Sequence, residues 1–168
     1  MVAMTPFAAD LLILFRRDLG CFIREVEGFP DDATLWQTVP GISNSAGNLA
    51  LHVVGNLRHF VGAVLGGTGY ERHRDQEFAQ AAGTRAEVIA LLEATIREVE
   101  RGLQPLTDDT LAQPYPQALM GLHPPTGRFL LHLGTHLAFH LGQAGYLRRV
   151  LTGEAGATGG MAIQELAP

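Results

Sequence analysis

Three histidines recur every fourth residue in the stretch Gly127–Gly142, GRFLLHLGTHLAFHLG: His132, His136 and His140. On a helix this spacing stacks side chains on successive turns of one face, with β-carbons about 5–6 Å apart. Neighbouring imidazoles so placed can hold one first-row metal ion without bending the backbone. Each four-residue step also turns roughly 40° about the axis, so the outer two diverge by about 80°. One adjacent pair is therefore a better chelate than all three. Spacing alone leaves open which pair.

A pair on one helix needs a further ligand from a facing helix. The stretch Ala46–Leu65 supplies a candidate, because His52 sits among Leu49, Val53, Phe60 and Val64, the apolar positions of a helix capped by Ser45 and ended by Gly66-Gly67. Asn48, Asn56 and His59 lie at −4, +4 and +7 from His52, on or near the same face. Such an inward polar line is costly unless something satisfies it. Three histidines leave a position open for water or substrate, as catalytic zinc sites do, whereas structural zinc is closed by four protein ligands. Imidazole suits zinc, nickel, copper or iron, so ligand type does not select the metal. Di-iron carboxylate chemistry would need buried glutamates and Glu-x-x-His pairs on the helices, and the sequence has none in the right places. The His-Glu-x-x-His motif is absent as well, as is a Ser or Cys nucleophile beside an obvious base.

These residues need a scaffold. Thr5-Pro6 opens a helix whose apolar period runs from Phe7 to Val26 and stops at Gly28 and Pro30. Thr84-Arg85-Ala86-Glu87 reads as a capping box before a third amphipathic helix, Val88 to Leu103, with no metal-type residue on its apolar stripe. Thr126-Gly127 starts the fourth, which runs to about Leu151. The pieces between them, including the polar loop Thr68–Gly83 with His73 and the proline-rich connection Pro105–Pro125 with Tyr115 and His123, read as loops. The expected fold is all-α: a four-helix bundle with long crossover connections, one domain over residues 1–168. Its helices are expected at about 6–27, 46–65, 85–104 and 127–152, with a weakly ordered tail at 154–168.

Composition narrows the function classes. A hydrophobic share of 46% with a charged share of 17% suits a compact core and excludes a disordered chain. The formal net charge of −5, with no Lys/Arg-rich run, lacks the electrostatic footprint of nucleic-acid binding. The apolar run Leu11–Phe15 is far short of the roughly 20 residues a membrane span requires. A single cysteine, Cys21, has no internal disulfide partner and reads as a buried small apolar residue. A cytoplasmic chain is expected. Arg58 and Arg148 are read as solvent-facing, and His59, His73 and His123 as surface or loop residues.

The segments THLAFHLGQAGYLRRVL and, about 80 residues earlier, NLALHVVGNLRHF resemble the DinB-like family of metal-binding four-helix proteins, in helix count, order and spacing over nearly the whole chain. TGRFLLHL also resembles a subgroup of uncharacterised members. The resemblance implies a metal triad of His52, His136 and His140, with His132 a flanking polar residue. It implies a divalent transition metal, zinc or nickel first, and a low-molecular-weight thiol as co-substrate, since family members include bacillithiol- and mycothiol-dependent thiol transferases and a mycothiol-dependent isomerase. Gln143, Asn48 and Asn56 become candidates for supporting the ligands or for hydrogen-bonding a substrate. The expected function is metal-dependent thiol S-transfer on a small molecule. The alternatives are a metal-dependent hydrolase, or a metal- or ligand-binding stress protein without turnover. Homodimerisation is expected from the same resemblance.

Overall fold

The computed structural model describes residues 4–156, 158 and 162–167. Among them there are helices and no strands; two isolated bridges, Pro114 with Pro125 and Leu119 with Leu122, pin one connection. Four long elements make the bundle. The first is α1 (Pro6–Glu27), begun by Thr5, whose hydroxyl accepts from the Ala8 N–H, and by Pro6 at its first position. After a single turn, α2 (Asp32–Leu35), comes α3 (Ala46–Leu57), where Ser45 and Asn48 cap each other reciprocally. A short α4 (Arg74–Ala79) leads to α5 (Arg85–Leu103), which opens on the reciprocal Thr84–Glu87 cap. Another short helix, α6 (Asp108–Ala112), precedes α7 (Thr126–Thr152), which ends on Gly153 in the left-handed conformation at φ 73°.

Helix α1 packs against α5 and α7, and α3 packs against the same two, whereas α1 and α3 barely meet. The core between them is a continuous apolar cluster that includes Phe15, Phe22, Leu57, Leu92, Leu130 and Leu137. Because α3 lies along α7, a histidine on one can reach histidines on the other.

The second long helix does not remain α-helical to its end. From Arg58 to Ala63 it widens to π-helix, with Val64 N–H donating to the His59 carbonyl five residues back. Two contacts accompany the change. The buried Tyr115 donates its hydroxyl to the Phe60 carbonyl at 2.6 Å. Helix α5 approaches so closely that a β-carbon on Gly102 would stand 2.2 Å from the Val61 carbonyl oxygen. Sequence periodicity reads such a segment as α-helix because six residues are too few for a changed period to show.

Three loop readings are corrected in the same way. Asp32–Leu35, Arg74–Ala79 and Asp108–Ala112 each form one or two turns of helix, too short for an apolar period to mark them. Residues 154–168 lie partly outside the described residues. Of the described part, Ile163–Leu166 forms a 3₁₀ turn beside α1, where Glu165 pairs with Arg24 at 2.8 Å. Arg148, read as solvent-facing, is instead 3% exposed and donates from Nε to Glu25 at 2.6 Å, while Thr158 donates its hydroxyl to the other Glu25 oxygen. Its position between Leu147 and Arg149 near the helix end conceals that burial in the sequence.

Candidate metal centre

The packing of α3 on α7 brings His52 against His136 and His140. The Nε2 atoms of His52 and His136 are 3.3 Å apart, and those of His136 and His140 are 3.1 Å apart. One ligand nitrogen from each of the three falls within a 4.8 Å cluster. Tetrahedral coordination with metal–nitrogen bonds of about 2.0–2.1 Å separates neighbouring nitrogens by about 3.3–3.4 Å, close to both observed contacts.

Glu77 on α4 is buried and lies with Oε2 2.9 Å from His52 Nδ1. Burial pushes its carboxyl pKa up, but the hydrogen bonds from Arg72 and His52, with the charge of Arg72, outweigh that and hold it below the usual carboxylate range. An ionised carboxylate can only accept, so His52 donates Nδ1–H to it, and the neutral ring then presents its Nε2 lone pair to the cluster. Arg72 Nη2 also approaches His52 Nδ1, at 3.3 Å, but its shorter charge-assisted bonds, 2.7 and 2.8 Å, go to the two Glu77 oxygens. Across the site, His140 donates Nδ1–H to Gln143 Oε1 at 2.7 Å, which turns a second lone pair inward.

His136 Nε2 faces both lone pairs and owns at most one proton. With all three rings neutral, at least one of the two nitrogen contacts is lone pair against lone pair, an arrangement that a shared cation makes favourable. Burial, aided by the neighbouring imidazoles, pushes the His136 pKa down to about 4. Burial likewise lowers His140, partly offset by Gln143. At neutral pH these rings are uncharged, the form that ligates a metal. The donor set thus fits a divalent transition metal.

A model of the DinB superfamily matches residues 15–144, which includes all three histidines. The chain belongs to the DinB superfamily. No curated protein matches the sequence. Among the described residues, no helix of this DinB-superfamily chain is long and apolar enough to cross a membrane.

The remaining sequence candidates sit apart from the cluster or beside it. His132 is exposed on α7, stacked on Phe129 at 6.0 Å and 6.2 Å between ring centroids from His136. Asn48 donates both amide hydrogens to the Glu77 and Gln80 carbonyls, so it fastens α4 to α3. Asn56 is 8% exposed and its Oδ1 has no partner. Gln143 holds His140. His59 meets Gln117 at 3.0 Å, and exposed His123 contacts the Tyr115 carbonyl at 3.1 Å.

The residues that sequence reasoning missed are Glu77 and Arg72. Both lie in a stretch read as loop. Their one visible signal is a glutamate beside Phe78, whose ring packs on His52 at 4.9 Å. Gly55 completes the arrangement: a β-carbon there would lie 2.0 Å from Glu77 Oε1.

Proposed function

We propose that this chain binds a divalent transition metal, zinc or nickel, through His52, His136 and His140 and uses it in transfer of a low-molecular-weight thiol to a small electrophile. The observation that carries the metal assignment is the convergence of imidazole lone pairs on His136 Nε2, enforced by Glu77 and Gln143. Membership of the DinB superfamily, whose members include thiol-dependent enzymes, directs the reading toward thiols.

When bound, such a metal lowers the pKa of a coordinated thiol so that it is a thiolate at neutral pH. The chain's own residues fix everything around it. Glu77 and Gln143 each hold the outer nitrogen of a ligand imidazole, setting its tautomer and orientation. Arg72 neutralises Glu77, so the carboxylate's charge is compensated within the protein. Three protein ligands leave coordination positions for a sulfur or a water. Asn56, one turn beyond His52 with a free buried acceptor, offers a hydrogen-bond site to a substrate donor. Homodimerisation belongs to the same proposal; Leu14 and Leu131, exposed on neighbouring α1 and α7, are the face we assign to a second copy.

The test is elemental analysis of the untagged protein beside a triple alanine variant of His52, His136 and His140, followed by thiol-transfer assays. One metal per chain in the parent and none in the variant supports the site. Metal without turnover of any thiol would place the chain among non-catalytic metal binders. Metal retained by the variant would refute the ligand set.

A further inference from the structure

A cleft of about 550 Å³ opens between the 39–44 segment and the outer face of α7, with Gln143, the hydrogen-bond partner of His140, in its wall. Its wall on α7 is a stripe at helical spacing: Phe139, Gly142, Gln143, Tyr146 and Val150. Phe139, Tyr146 and Val150 are 62%, 70% and 65% exposed, an unusual concentration of large apolar side chains at the surface. Leu49 and Leu147 form its floor, and no charged side chain lines it. The volume lies within the range of small-molecule sites.

Gln143 belongs to two places at once. Four residues from Phe139 it stands in the cleft wall, and three residues from His140 it accepts that ligand's Nδ1–H. Phe139 is also in edge contact with the His140 ring, with centroids 5.2 Å apart. On the opposite helix, Leu49 lies one turn before His52. Both elements that present histidines therefore line the cleft as well, and Gln143 joins its wall to the ligand His140.

We propose that this cleft is the acceptor subsite, and that it selects an uncharged, largely apolar small molecule, an aromatic or alkyl compound with its reactive end toward His140. Its assignment as acceptor subsite rests on the thiol-transfer reading; its selectivity for neutral apolar ligands does not. An anionic group would enter a lining with no cation to meet it and would lose its hydration there. Gly142 makes the proposal testable, because a β-carbon at that position meets nothing within 4 Å, so a larger side chain fills the cleft without straining the helix.

Two fluorescent probes with the same skeleton, N-phenyl-1-naphthylamine and its sulfonated counterpart 8-anilinonaphthalene-1-sulfonate, separate apolar fit from charge. Titration of the full chain, metal-loaded and metal-free, is expected to show one neutral probe bound per chain. The sulfonate should bind at least tenfold more weakly. In Gly142→Leu the neutral probe should lose at least tenfold in affinity, with metal content and circular dichroism unchanged. Equal affinities for the two probes, or unaltered binding in Gly142→Leu, overturn the proposal. So does a neutral probe that binds only on dilution, as light-scattering mass falls from dimer to monomer, because a second copy then fills the cleft. If the probes behave as expected while no thiol is transferred, the catalytic reading fails and the apolar subsite stands. If thiol transfer proceeds and Gly142→Leu leaves the KM for neutral acceptors unchanged, the subsite fails and the catalytic reading stands.

Discussion

At the scale of single residues, the site depends on which nitrogen of each histidine holds a proton, and that is decided by side chains outside the triad. Glu77 fixes His52 and is itself held by two charge-assisted bonds from Arg72. Replacing Glu77 by Gln should weaken metal affinity roughly 10–100-fold, measured by competition with a chromogenic chelator, while leaving the three ligands in place. His132→Ala should keep nearly full metal occupancy, and His136→Ala should lose most of it; equal losses would mean that the α7 pair is wrongly assigned. The buried imidazoles also set a pH dependence for the metal-free protein. His136 titrates at about 4 when folded and near 6.5 when unfolded, so below 6.5 the unfolded chain binds a proton that the folded chain refuses. Stability is therefore complete above about pH 6.5 and falls as pH is lowered toward 4, by no more than about 3 kcal/mol from this group. Urea unfolding of the apo protein across that window should show the loss, and His136→Ala should flatten it.

Helices and their contacts define the next scale, where two glycines separate stability from site geometry. At Gly102 an added methyl group meets backbone, the Val61 carbonyl of the π-helical segment, which cannot swing away. Gly102→Ala should cost about 1–3 kcal/mol, read from denaturant midpoints, as overpacking between α5 and that segment. At Gly55 the methyl group meets the end of a flexible side chain, Glu77. Gly55→Ala should move Glu77 off His52 and reduce metal affinity with a much smaller loss of stability. The opposite ordering of the two variants would show that α4 is not held against α3 as described. That α4 exists was not legible from sequence. Its six residues form too short a helix for an apolar period, and its one inward carboxylate looks like any loop glutamate until Asn48 ties its backbone down.

In the whole molecule, distant segments are joined by the buried Arg148–Glu25 pair, which links α7 to α1 and reaches the C-terminal segment through Thr158 and the Gly156 carbonyl. Removing one partner strands a buried charge, so Glu25→Ala should lower stability by about 3–5 kcal/mol, seen as a large fall in Tm. The double replacement Glu25→Leu with Arg148→Met should recover much of that loss. The sequence by itself determined the all-α class and the histidine-bearing faces, because caps, glycine stops and a 3.6-residue apolar period are local and act within one element. It also carried the resemblance that named His52, His136 and His140 as a set, though not the partners that orient them. Only the tertiary structure decided that α3 lies on α7, that Glu77 and Arg72 reach His52, that Arg148 is buried, and that a cleft opens beside Gln143. Those facts depend on contacts between residues far apart in the chain, and such contacts leave no period or spacing in a single sequence to be read.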